Sequence, residues 1–317
     1  MRLTLTAAVV LLAVPAPAQA ATGQVVGNGT AASCTSEAVV RAVARGGVIT
    51  FACGPTPVTI VMKATAKVRN TSARVVLDGG GKVTLSGAGK RRVLYMNTCD
   101  KAQVWTTDHC VDQAQPQLTV KNLTFADGYV ADGEGGGAIF VRGGRLTVAG
   151  TRFVRNRCQP TGPDAGGAAL RVLDQYHDLP VTVQKSTFTG GSCANGGALS
   201  SIGVSWDIRD SVFTGNRAIG RGANPPRQGT PGGGNGGALY FDGNTFTVRI
   251  TGSLLRNNRA NEGGGAMLFV SNDRTGTLAI EDSKLLRNPS LGFETKGYPG
   301  IFYIGSGKPR ISHSTLR

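Results

Sequence analysis

Five short stretches of this chain carry the same tetrad of glycine, glycine, alanine and an apolar residue. Gly136-Gly137-Ala138-Ile139 recurs as Gly166-Gly167-Ala168-Ala169, Gly196-Gly197-Ala198-Leu199, Gly236-Gly237-Ala238-Leu239 and Gly264-Gly265-Ala266-Met267, at steps of 30, 30, 40 and 28 residues. A degenerate copy stands at Pro299-Gly300-Ile301-Phe302. Self-similarity at such a period means stacked copies of one small unit, none of which can bury its own apolar face alone. It constrains the fold more tightly than any other property of the sequence.

A second unit follows each tetrad: alternating apolar residues, then Ser or Thr, then Phe or Leu two positions on, then Asn. Aligned on the hydroxyl residue, the third position before it reads Val148, Val183, Ile208, Ile250, Ile280, Ile311. The fifth reads Leu146, Val181, Trp206, Val248, Leu278. Two positions after it stand Phe153, Phe188, Phe213, Leu255, Leu285 and Leu316, and an earlier copy carries Phe125. Alternation of period two marks a half-buried strand, and its recurrence about every 30 residues stacks like strands on like. The tetrad glycines suit a tight bend. Asn after Phe suits a turn and can bond to its own copies along the stack.

The chain therefore reads as all-β: a single-stranded right-handed parallel β-helix, or solenoid, with a short N-terminal capping helix. Glycine numbers 47 of 317 residues without a three-residue period, so collagen is excluded, and 40% apolar content excludes wholesale disorder. Residues 1–20 read as a signal peptide: Arg2, an apolar run and the small-residue site Ala18-Gln19-Ala20. Residues 21–47 hold the N-terminal segment and helix, with Thr35 or Ser36 as N-cap, an apolar face of Ala38, Val39, Ala42 and Val43, and Gly46-Gly47 as the stop. The β-helix proper is expected over 48–317, and no stretch in it suits a membrane span.

The paired GGA-apolar and F-x-x-N motifs resemble the polymorphic outer membrane protein repeats of bacterial surface proteins. The overall coil pattern is similar to that of the pectin-lyase-like β-helix superfamily. The resemblance implies the fold and leaves the activity open, because the superfamily holds polysaccharide lyases, glycoside hydrolases and non-catalytic adhesins.

Six cysteines fit an oxidising, extracellular compartment and a secreted protein. They fall into sequence-near pairs: Cys34 with Cys53, Cys99 with Cys110, and Cys158 with Cys193. Zinc is the competing use, since His109 adjoins Cys110, but there is no C-x-x-C and no second His at ligand spacing. The best local group of acids is Asp127, Asp132 and Glu134; no metal or cofactor is expected. The net charge of +15 attracts polyanions. The expected partner is an acidic polysaccharide or an anionic cell-surface glycan, met by a monomer. Basic residues are spread along the chain and not interleaved with stacking aromatics, which argues against nucleic acid.

Three patches carry candidate chemistry. In the insertion 171–178, Arg171 would neutralise a uronate carboxylate, His177 would abstract the acidified proton and Tyr176 would protonate the leaving oxygen. The plainer reading is a polar loop. On outward strand positions, Asp207, Arg209, Arg249 and Glu281 form a row for a polyanion, or else a set of solvated ion pairs. After each tetrad, Phe140, Leu170, Tyr240, Leu268 and Phe302 form one column and Val141, Phe241, Phe269 and Tyr303 the next. One of the two faces outward, where Tyr240 and Phe302 would stack on sugar rings unless loops cover them. Two functional classes follow: a pectate-lyase-like polysaccharide lyase, and a non-catalytic adhesin-like surface-binding protein.

Overall fold

The structure is a computed structural model that describes residues 23–222 and 232–317. The signal-peptide assignment and much of the loop before the fourth tetrad lie outside the described residues. Among the described residues thirty strands form three sheets of 17, 8 and 5 strands. Every ladder joining two of these strands is parallel. Between residues 117 and 260 the chain visits the three sheets in a repeating cycle. Ile139–Arg142 lies in the eight-stranded sheet, Arg145–Ala149 and Arg152–Val154 in the large sheet, Arg157–Cys158 in the five-stranded sheet, and Leu170–Leu173 returns to the first. An all-β chain cycling through parallel sheets in this way is consistent with a β-helix.

The large sheet is where the periodic columns lie. Its ladders join Val148, Val183, Ile208, Ile250, Ile280 and Ile311 rung by rung. They do the same for Phe125, Phe153, Phe188, Phe213, Leu255, Leu285 and Leu316. The phenylalanine rings stack at centroid distances of 5.4, 4.7 and 4.6 Å. Between these columns runs a hydroxyl ladder. The Oγ atoms of Ser186, Ser211, Ser253, Ser283 and Ser314 each accept the backbone N–H of the residue one rung below. The buried asparagines form a second ladder. Asn216 donates to Asn258 Oδ1 and Asn258 to Asn288 Oδ1, both at 2.9 Å, while each amide also holds a phenylalanine or leucine carbonyl. These polar turns can thus enter the core because the serine hydroxyls and asparagine amides in them are paired from rung to rung.

The tetrads stack with two shifts from the sequence alignment. Ile139 pairs with Leu170, and Leu170 with Leu199, so the second copy is Gly167-Ala168-Ala169-Leu170. Ile301, not Phe302, aligns with Met267. In this register the first glycines, Gly136, Gly167, Gly196, Gly236 and Gly264, all have φ between 51° and 69°. A Cβ on each would lie 2.0 to 2.6 Å from the carbonyl oxygen three residues on. The bend tolerates no side chain. Ala168 departs from the repeat by replacing the second glycine, and it does so where Gly191 replaces Asn. A Cβ on Gly191 would stand 3.3 Å from that of Ala168, so the two departures share one space.

At the N-terminus, helix Ser36–Arg45 is capped by Thr35, whose Oγ1 accepts the Ala38 N–H at 3.2 Å. Val39, Ala42 and Val43 are buried against strands Gly23–Val26, Gly47–Phe51 and Ala66–Lys67. The segment 21–47 contains a strand as well as the helix: Gly23–Val26 pairs with Val48 to Phe51 and adds a rung below the expected start at 48. Disulfides join Cys34–Cys53, Cys99–Cys110 and Cys158–Cys193. The last of these links neighbouring rungs of the five-stranded sheet.

Candidate functional site

The loop after strand Leu170–Leu173 forms one wall of a cavity of about 600 Å3. Gln175 fixes that loop: buried, it accepts the Leu146 N–H at 2.9 Å and donates to the Asp174 carbonyl at 2.8 Å. Asp174, His177 and Asp178 then take left-handed backbone and turn toward the loop closed by Cys99–Cys110. Asp112, two residues beyond that loop, accepts the His177 N–H at 2.6 Å, and its other oxygen lies 3.9 Å from His177 Nε2. The cavity wall includes Asp112, Asp174, His177 and Asp178, with Asn244, Thr245 and Asn272 from later rungs. Arg142 pairs with Asp174 at 3.0 Å, and the two carboxylates left beside the imidazole, Asp112 and Asp178, disfavour a polyuronate rather than seat it.

Arg171 and Tyr176 are not part of that wall. Tyr176 stacks on His177 with ring centroids 3.9 Å apart. Arg171 is 2% exposed and donates from a guanidinium Nη to Ser200 Oγ at 2.6 Å. Burial pushes its pKa down, opposed by Tyr240, Glu134, Asp164 and Asp242. It cannot reach a substrate carboxylate in solution, so the three residues of the elimination scheme do not converge.

The register shift places Arg171 in the outward column, and cover over that column buries it. Arg171, not Leu170, stands in the column with Phe140 and, through Ser200, with Tyr240, Leu268 and Phe302. The column faces away from the core, yet its middle is covered. A Cβ on Gly136 would come within 3.0 Å of Arg171 Cβ, and one on Gly166 within 2.4 Å of Ser200 Oγ. Tyr240 is 7% exposed and donates its hydroxyl to Asp242 at 3.1 Å; burial and that carboxylate push its pKa up. Phe302 is half-buried, with its ring edge-on to Phe293. Neither Tyr240 nor the bulk of this column is open to a sugar. In the adjoining inward column, Val141, Phe241 and Phe269 are core residues.

The charged row on the large sheet resolves into separate pairs. Asp207 and Arg249 are in register, but Arg209 binds Asp207 and Arg249 binds Glu281. Such exposed pairs are worth about 0–1 kcal/mol each. The acids 127, 132 and 134 are likewise divided: Asp127 binds Arg155, and Asp132 binds Arg92.

One carboxylate near the cavity is held strongly ionised. Asp273 accepts the Thr275 N–H at 3.0 Å and the hydroxyls of Ser271, Thr275 and Thr245, which lower its pKa from 3.8 to about 2. A lowered folded pKa means the turn's stabilisation is complete above 3.8 and is lost as pH falls through about 2. A carboxyl-carbon NMR titration is expected to give Asp273 a midpoint near the lower value; a midpoint at 3.8 would overturn the assignment.

Sequence reasoning missed Asp112, Asn244, Thr245 and Asn272. They come from three distant segments and no motif links them.

No family model matches the chain, and no solved structure matches it. Over 113 residues it is 31% identical to the probable autotransporter YfaL of Escherichia coli (strain K12), covering 34% of this chain. The chain spans about 8% of the length of that curated relative. No helix among the described residues is long and apolar enough to cross a membrane. The three disulfides and the likeness to an autotransporter fit a secreted or surface protein.

Proposed function

We propose that this protein is an exported, right-handed, single-stranded parallel β-helix that binds acidic polysaccharide, free or on a cell surface, without cleaving it. The observation that carries the non-catalytic reading is the burial of Arg171 against Ser200, apart from the cavity that holds His177. The charge of +15 supports a polyanionic partner. The disulfides and the signal-like residues 1–20 support export. The hand follows from the strong preference of parallel crossovers for right-handed connections. On this reading residues 48–317 form the binding body, and helix Ser36–Arg45 closes its N-terminal end.

The test is to incubate the secreted protein with polygalacturonate, alginate and hyaluronan. Retardation in affinity electrophoresis is expected, with no rise in the ultraviolet absorbance of unsaturated products. A rise abolished by both His177→Ala and Arg171→Ala would establish a lyase instead. Failure of every glycan to retard the protein would overturn the binding reading. Arg171→Met is expected to leave retardation intact and to cost about 1–3 kcal/mol of stability, because the buried Ser200 hydroxyl loses its partner.

A further inference from the structure

Three copies of the turn motif are followed by the same residue: Asn156-Arg157, Asn216-Arg217 and Asn258-Arg259. Each Asn is pinned in the buried ladder. The next position starts a strand of the five-stranded sheet, and alternation sends its side chain outward and the following Cys or Ala inward. Arg157, Arg217 and Arg259 are all exposed, while Cys158, Ala218 and Ala260 are buried. The ladders place the arginines in one column, in the order Tyr129, Arg157, Ser192, Arg217, Arg259.

We infer that this arginine column is the docking track for a linear acidic polysaccharide lying along the stacking axis; the inference rests on the binding function proposed above and gives it a location. Arg217 and Arg259 are like charges on adjacent rungs, an arrangement that is destabilising by itself. Among the described residues no carboxylate pairs with Arg157, Arg217 or Arg259. The contrast with Arg155, Arg209 and Arg249 is direct, since each of those has its own acid. With rungs ~4.8 Å apart, the three guanidinium groups span roughly 14 Å. Arg256 is exposed on the preceding strand of the same turn as Arg259. At the other end of the track a cleft of about 590 Å3 is lined by Gly89, Asp127, Arg155, Arg157 and Gly190. An anionic chain laid on the column relieves the repulsion that the fold itself leaves uncompensated. Single-stranded nucleic acid fits less well: the column's one ring, Tyr129, already lies under Arg157, 5.7 Å from its guanidinium carbon.

The test compares two triple variants of the secreted protein that lose the same charge. One is Arg157→Gln, Arg217→Gln, Arg259→Gln; the other is Lys82→Gln, Lys101→Gln, Lys308→Gln, all exposed and outside the column. Binding to polygalacturonate and to single-stranded DNA is followed at several salt concentrations, with circular dichroism melts as the check on folding. The arginine variant is expected to melt no lower than the parent. It should bind polygalacturonate about 10-fold or more weakly, with a shallower salt slope, whereas the lysine variant stays within about 3-fold. Equal losses in both variants would mean net charge alone and overturn the track. Undiminished binding by the arginine variant would overturn the track and leave the proposed function standing. A parent that binds no polyuronate would overturn the function and the track together. Tighter binding to DNA, lost in the arginine variant, would overturn the glycan as occupant.

Discussion

Phe188→Ala is expected to cost about 3–5 kcal/mol of stability. Phe188 is fully buried and lies between Phe153 and Phe213, at centroid distances of 4.7 and 4.6 Å. Its removal opens a cavity in the middle of a stack, where neighbours on both rungs are held in register by parallel ladders and cannot close in. Phe188→Leu is the informative companion. Leu255, Leu285 and Leu316 occupy the same column in later rungs, so leucine is already compatible with the backbone there. Its cost should stay near 1 kcal/mol. Urea titrations of the two variants measure the difference. Equal, small losses would mean that the stack contributes little beyond apolar volume.

Asn258→Leu is expected to cost about 3–5 kcal/mol, although it places an apolar side chain in a fully buried site. Asn258 Oδ1 accepts both the backbone N–H and the side-chain amide of Asn216, at 3.0 and 2.9 Å. Its own amide donates to the Phe213 carbonyl and to Asn288 Oδ1. Leucine would strand partners on both neighbouring rungs, and leaving a buried donor or acceptor unmade costs about 1–3 kcal/mol each. The adjacent Asn257 is exposed in left-handed backbone, so Asn257→Ala should lose only about 1 kcal/mol. Hydrogen exchange is the sharper readout. The amide of Asn216 should lose protection in Asn258→Leu and keep it in Asn257→Ala.

Much of the molecule was legible because its stacking turns distance along the chain into adjacency. The columns through Val148 and Phe153 could be aligned from letters alone, since period two tells inside from outside and the Ser or Thr marks the register. The tetrad column could not. In Ala165-Gly166-Gly167-Ala168-Ala169-Leu170 the letters favour opening the tetrad at Gly166, and only the parallel ladders chose Gly167. That single shift moved Arg171 into the column and under neighbouring backbone. The candidate catalytic group dissolved with it.

The basic residues show the same limit from the other side. Arg157, Arg217 and Arg259 are scattered along the chain, 60 and 42 residues apart. The repeat brings them into one column, because each return of the chain to the five-stranded sheet covers many residues and moves only one strand spacing to the next rung. The sequence by itself determined the repeated strands of the large sheet and their inward faces, set by alternation and by turn residues within a single repeat. Register of the tetrads between repeats, cover over outward faces, and the company each charge keeps are contacts between segments some 30 residues apart. Those were decided only by the tertiary structure.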